Sequence, residues 1–387
     1  MTILCNNSKG DRDSNEDKYF TKKINENVEI FGIFDGHNGD NLSEFVCNYF
    51  FIKLKDFFKK YNYRNLFDKK KRIIDKKEYI KEEIYNFNDD NTEVTEDIVN
   101  ELVDKALGLK KSNSKKNFKI IEKEILVPKE EIYYDFNINK ANELIKNLLK
   151  NLYNRCNHKI ILNYEKLKGI KCGTTALVGI YFYKNLYVSN IGDTRLIIID
   201  PNFKPIQITT DHNNKNISEK TRILSMGGYF NDKNYLFGRV NITRGFGDLW
   251  QLEKLYTTFY SNIPKLKDWK NYNINNFDDF NFFLNEYKIN FFISYHPDIY
   301  MVENYNENIA IVTASDGIWS CMNNDNLNNS LYNSYLEYNY IDKNNKIEDS
   351  KEVFNQILLS KIKKKWDKRG KLIDNITYII KFLNKLL

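Results

Sequence analysis

Cysteine and histidine are scarce in this chain. Its 387 residues include only five cysteines, Cys5, Cys47, Cys156, Cys172 and Cys321, and no two of them form a CxxC pair. An odd count without such spacing argues against a disulfide scaffold or a thiolate zinc site, and for a reducing compartment. The four histidines, His37, His158, His212 and His296, show no ligand spacing either. Long apolar runs are also missing. None approaches about 18 residues, so no membrane span is expected. The opening MTILCNNSKG has no basic stretch leading into an apolar one, and its second residue is Thr2 rather than glycine. Neither a secretory leader nor N-myristoylation is expected, and a cytoplasmic or nuclear location is. No repeat period is visible.

What the chain does have is apolar and charged side chains in quantity. A hydrophobic content of 42%, with 15% aromatic residues, is enough to bury a large core. The net charge of +7 is spread over many lysines instead of being gathered in one arm. With no recognition motif beside it, that surplus reads as a solvated surface and not as a nucleic-acid footprint. At about 150 residues per domain, length alone allows two or three domains.

Short apolar runs separated by polar turns predict strands in TILC, KYFTKKI and VEIFGIF, all before residue 35. Asp40 is placed to cap a helix that carries Leu42, Phe45, Val46, Tyr49, Phe50 and Leu54 on one face. The texture changes over residues 59–139, which are rich in Lys, Asn, Asp and Glu and read as an insertion, partly helical and partly disordered. An amphipathic helix follows at 140–155. GTTALVGIYFY, NLYVSNIGD, RLIIID and PIQITT predict four strands in a meander. SEKTRILSMGG predicts a short helix ended by glycine, and residues 249–294 form a second, aromatic and Asn-rich insertion. Strands return at DIYMVEN, NIAIVTASDG and NITYIIKFL, with helices expected at 325–340 and 348–365. Such an order suggests a mostly antiparallel α+β domain.

Acids sit where these strands end. Asp35 closes FGIFD and is followed by Gly36 and His37. Asp193 closes YVSNIGD, and Asp316 closes IAIVTASDG. Asp374 opens DNITYII, and Glu16 with Asp17 opens NEDKYF. Each dipeptide alone is an ordinary turn signal. As a set they are costly, because carboxylates drawn together into a core repel one another unless a cation sits among them. An all-oxygen cluster suits Mg or Mn better than zinc.

These stretches also carry a resemblance. RDSNEDKYF, FGIFDGHNG, GTTALVGI, NIGDTRLII, TTDHNN, RILSMGGYF, GRVNITRGFGD, HPDIYMV, IVTASDGIWSCM and DNITYII occur in the order of the metal-dependent Ser/Thr protein phosphatases of type 2C. The match runs from Arg12 to about Lys381, apart from the two insertions. It implies a single phosphatase domain over 1–387, interrupted at 59–139 and 249–294. The implied fold is a four-layer sandwich, α+β, with two antiparallel sheets flanked by helix pairs.

The resemblance implies roles as well. Arg12 would grip the substrate phosphate, and His37 would be the general acid for the leaving oxygen. Glu16, Asp35, the Gly36 carbonyl, Asp316 and Asp374 would hold two Mg or Mn ions, with Asp35 bridging and Asp17, beside Glu16, standing behind the direct ligands or acting through water. Water activated by the ions would hydrolyse phosphoserine or phosphothreonine. A further metal position in the family uses the acid matched by Asp193 together with Asp316 and an acid four residues later. Here that last position is Ser320, so no stable third ion is expected. The alternative reading is a pseudophosphatase, a binding module without turnover. The implied partners are phosphorylated proteins, with no nucleic acid and no membrane span, and a monomer is expected.

Overall fold

The computed structural model describes residues 2–85, 118–252, 265–272, 274, 277–287, 289–345 and 350–383. The chain divides into two compact units, Met1–Tyr61 with Ala141–Leu387, and Asn62–Lys140.

Two antiparallel five-stranded sheets frame the larger unit. The first contains β2 (Lys18–Asn25), β3 (Val28–Phe34), β8 (Ala176–Phe182), β9 (Asn185–Ile191) and β13 (Asp298–Val302), in the order β13-β9-β8-β3-β2. The second contains β1 (Thr2–Ser8), β10 (Arg195–Ile199), β11 (Pro205–Gln207), β14 (Ala310–Ala314) and β15 (Ile376–Phe382), in the order β1-β15-β14-β10-β11. All of β8 and β9 is buried. Strands covered on both faces take apolar side chains on both, as the run of β8 shows, although β9 also buries Asn185, Ser189 and Asn190; the edge strand β2 buries only Phe20.

The sheets bury their facing sides against each other. Phe31, Ile33, Leu177 and Val188 of the first meet Leu196, Ile198, Ile311 and Ile379 of the second. The other side of the second sheet packs on α6 (Asn324–Asn345) and α7 (Ser350–Asp367). There Leu4, Val312 and Ile380 cluster with Leu327, Phe354, Leu358 and Ile362. On the first sheet lies α1 (Asn41–Lys60), which buries Leu42, Val46, Phe50 and Leu54 at helical spacing. Tyr153 of α2 (Ile138–Leu162) donates its hydroxyl to the Ala176 carbonyl at 3.0 Å. Each such buried Leu or Phe contributes about 1.5–3 kcal/mol. Among the described residues no helix is long and apolar enough to cross a membrane.

Three expectations meet a different outcome. Asp40 is the N-cap of α1, yet its carboxylate makes no cap hydrogen bond. It pairs with Lys18 at 3.2 Å instead. The four-strand meander is split after Ile191: β8 and β9 belong to the first sheet, β10 and β11 to the second. Gly192 and Asp193 make the crossing, which puts an acid between the sheets. In the smaller unit, β5 (Phe67–Tyr85) pairs along its length with β6 (Phe118–Phe136), where helix and disorder are expected. Cross-strand ion pairs at 2.8 Å, Arg72 directly opposite Glu131 and Lys71 diagonal to Glu130, show what the charge-rich text concealed: opposite charges paired across a ladder. Residues 86–117 lie outside the described ones. In the second insertion, α4 (Phe277–Glu286) buries Phe280, whose ring stacks on His158 at 4.8 Å, so part of that segment is core.

One ion pair joins the two sheets inside the core. Lys381 of β15, 3% exposed, reaches Glu29 of β3 at 2.6 Å and lies 3.6 Å from the centroid of the Tyr181 ring. Removing one partner strands the other charge. Lys381→Met should therefore cost about 3 kcal/mol or more in chemical denaturation. The double variant Glu29→Gln/Lys381→Met should recover most of that loss. Equal losses in the two variants would show that the pair is not the source.

Candidate active site

In an antiparallel sheet the start of one strand lies beside the end of its neighbour. Lys18 pairs with Phe34, so Asp17 before β2 comes beside Asp35 after β3. Ala314 pairs with Tyr378, so Asp316 after β14 comes beside Asp374 before β15. Ala176 pairs with Ile191, so the turn carrying Asp193 meets Thr175, whose amide donates to the Asp35 carbonyl at 2.9 Å. Thr175 Oγ1 accepts from the Asp35 amide in turn, at 3.1 Å. The Asp316 amide donates to Asp35 Oδ2 at 3.3 Å and ties the two sheets together.

The acids feel one another. Burial, and then the charges of Asp17, Asp316, Asp193 and Asp374, hold the Asp35 carboxyl well above the usual range. Burial pushes Asp17 up to about 7, against hydrogen bonds from Thr377 and Ser315. Asp193 is pushed up to about 7 by burial and then by Asp316. Asp316 is pushed up to about 6 by burial and then by Asp374. One buried oxygen, Asp17 Oδ2, has no hydrogen-bond partner.

Glu16 and Arg12 reach the cluster on the N-terminal loop. Glu16 Oε1 accepts from the Gly39 amide at 2.5 Å. Arg12, half exposed, pairs with Asp374 at 2.6 Å. Sequence reasoning passed over the residue that fastens this loop, Asn375. Its Oδ1 accepts from the Glu16 amide at 2.9 Å, and its Nδ2 donates to the Lys9 and Ser14 carbonyls at 2.8 and 3.1 Å. The only signal was its place after Asp374 in DNITYII. Gly36 fits where no other residue can: a Cβ there would lie 2.6 Å from the Glu16 carbonyl oxygen and 2.8 Å from Ser43 Oγ.

A third, small sheet sets His37. β4 (Gly36–His37) and β12 (Phe246–Gly247) flank β7 (Gly173–Thr174). This brings Asp248 beside the imidazole, and His37 Nε2 donates to Asp248 Oδ2 at 2.8 Å. Asp248 is fully buried and also accepts from Trp250 Nε1 at 2.9 Å. The pair leaves no room for a side chain at Gly173, whose Cβ would sit 2.2 Å from Asp248 Oδ2. Burial opposes a charge on His37, yet Asp248, and then Glu16 and Asp193, more than offset it and hold the imidazole above its ordinary pKa. Asp248 is the second residue missed; its signal was the aspartate closing GRVNITRGFGD.

Beyond the cluster opens a cleft of about 850 Å³, lined among others by Arg12, Asp193, Asp316, Ser320 and Asp374. Glu16, Asp35 and His37 are not in its lining. Ser320 Oγ donates weakly to Asp316 Oδ2 at 3.5 Å. Among the described residues, no three Asp, Glu, His or Cys side chains stand grouped as a metal-holding set. The donor chemistry nevertheless fits a hard divalent cation: carboxylates only, mutually repelling, one oxygen unpartnered.

Without a cation, these carboxyls keep protons that the unfolded chain gives up from about pH 4 upward. The native state then holds more protons than the unfolded one, so their contribution to stability is present at low pH and is lost as pH rises toward about 7. In EDTA, Asp35→Asn should stabilise the protein by on the order of 1 kcal/mol near pH 8, with a gap that closes toward pH 5. A variant no more stable than wild type near pH 8 would contradict the repulsion.

The sequence profile described as Protein phosphatase 2C matches residues 105–331, more than half of the chain. Asp193 and Asp316 lie inside that segment, whereas Arg12, Glu16, Asp35, His37 and Asp374 lie outside it. A probable protein phosphatase 2C 27 of Oryza sativa subsp. japonica is 28% identical over 172 residues, 44% of this chain and 38% of that one. A probable protein phosphatase 2C 43 of Arabidopsis thaliana is 26% identical over 158 residues, 41% and 30%. This chain thus spans about a third of the length of these curated relatives. Among solved structures, a serine-threonine phosphatase 2C from Toxoplasma gondii aligns over 98% of this chain and 94% of its own, with TM-score 0.56 and 16% identity. A C. elegans sex determining protein aligns over 100% and 65%, with TM-score 0.56 and 15% identity. The profile match and the shared fold make this chain a member of the protein phosphatase 2C family.

Proposed function

We propose that this chain is a metal-dependent protein phosphatase acting on phosphoserine and phosphothreonine. The observation that supports this most is the meeting of strand-end acids with a half-exposed arginine at an open cleft. Glu16, Asp35, the Gly36 carbonyl, Asp316 and Asp374 would hold two ions, Mg or Mn by their oxygen chemistry. Bound there, the ions would supply positive charge against the phosphate and a water acidified for attack on phosphorus. The chain's own side chains do the rest. Arg12 can present its planar fork to two phosphate oxygens. Its present partner, Asp374, keeps it at the cluster. With Nε2 of His37 committed to Asp248, the proton for the leaving serine or threonine oxygen would sit on Nδ1. Asp248 then acts as a positioning residue that fixes this tautomer.

Hydrolysis of a phosphothreonine peptide should stop in EDTA and return with Mn or Mg. Turnover that survives exhaustive chelation would refute the reading, and a folded, metal-loaded protein without turnover would favour the binding-module alternative. His37→Gln should slow phosphopeptide hydrolysis by about 10²–10⁴-fold and slow aryl phosphate hydrolysis far less, since a good leaving group needs no proton. Equal losses on both substrates would remove the general-acid role.

The reading includes an ion count. Ser320 places a neutral hydroxyl at the third position, 3.5 Å from Asp316 Oδ2, so two ions are proposed and not three. Ser320→Asp should add one weak binding step in Mn calorimetry, with affinity in the millimolar range. A third ion in the wild-type protein would overturn the count.

A further inference from the structure

Six cationic side chains line the cleft: Arg12, Arg195, Lys215, Lys233, Arg369 and Lys371. Two are already engaged, Arg12 with Asp374 and Arg195 with Asp211, each at 2.6 Å. The other four are exposed and form no ion pair among the described residues. The acids of the lining are Asp193, Asp211, Asp316 and Asp374. Asp211 is held by Arg195, and the other three belong to the strand-end cluster. No carboxylate of the lining is therefore left to balance the rim. A chain with 59 basic and 52 acidic side chains has acids enough to have done so.

The four are anchored near the cluster. The Asn214 side chain donates to the Asn234 carbonyl at 2.6 Å, which joins the segments that carry Lys215 and Lys233. Arg369 and Lys371 flank the turn at Gly370, a glycine with φ of +60°, just before Asp374. Near the end of α7, the Trp366 indole donates to the Gly317 carbonyl at 2.7 Å, which ties the helix leading into that turn to the short helix begun by Asp316. On the phosphatase reading, one phosphate would be served by Arg12 and the two ions. Four further cations answer to charge elsewhere on the substrate.

We propose that this cleft selects phosphorylated segments whose phosphoserine or phosphothreonine is flanked by aspartate or glutamate; the inference rests on the phosphatase reading above. Flanking carboxylates would face Lys215, Lys233, Arg369 and Lys371, and basic flanks would be repelled. Exposed charges of this kind act mainly on encounter and are screened by salt.

The test uses the full chain with Mn and three matched phosphothreonine peptides with acidic, neutral or basic flanks, with p-nitrophenyl phosphate as a fourth substrate. At about 0.05 M salt, kcat/KM for the acidic peptide should exceed the neutral one roughly tenfold, and the ratio should fall below about twofold near 0.5 M. In Lys215→Glu/Lys371→Glu, the acidic-to-neutral ratio measured within that variant should fall to one or below. The wild-type salt series stands by itself if the variant does not fold. Turnover of p-nitrophenyl phosphate and of the neutral peptide, with a ratio near one at both salts, would overturn the inference and leave the phosphatase reading intact. No metal-dependent turnover of p-nitrophenyl phosphate would overturn the phosphatase reading and this inference with it.

Discussion

Carboxylates crowded at the ends of antiparallel strands are the constraint on which the rest of this structure turns. Register alone brings Asp17 beside Asp35, and Asp316 beside Asp374. The chain-crossing at Gly192–Asp193 adds an acid from between the sheets. Burial and neighbouring charge hold Asp17, Asp35, Asp193 and Asp316 above their ordinary pKa. Such a cluster weakens the fold unless something positive sits in it. The two-sheet core, in which β8 and β9 are buried along their whole length, supports it.

Around the cluster the chain uses backbone donors and short polar side chains for position. Asn375 ties the N-terminal loop, so Glu16 and Arg12 arrive together. Asp248, pinned by Trp250, sets the imidazole of His37. These contacts act through rigid neighbours, which is what a site needs if its groups are to be in place before a substrate arrives. Outside this tightly held centre, the cleft is loosely charged and exposed, a surface suited to choosing among substrates.

Much of this was legible in the sequence. The strands, α1, α3 (Ile217–Ser225) and the helices of 324–367 follow from periodicity and turn residues. The acids could be read because each stands at the start or the end of an apolar run. The hairpin β5–β6 could not, since runs of Lys and Glu mask a period of two until the facing strand is known. The split of the meander was hidden for a similar reason: nothing local tells a turn within a sheet from a turn between sheets. Asp248 and Asn375 were missed because their meaning lies in partners 211 and 359 residues away. Asp40 misled because a nearby lysine outcompetes the helix amides for its carboxylate.

The central claim is that the strand-end acids are gathered to hold divalent cations. Anomalous diffraction from crystals soaked in Mn tests it most directly. The account predicts two strong peaks, both within coordinating distance of Asp35, one shared with Glu16 and the other with Asp316 and Asp374. Crystals that show no peak at Asp35, or peaks only at surface carboxylates, would contradict it.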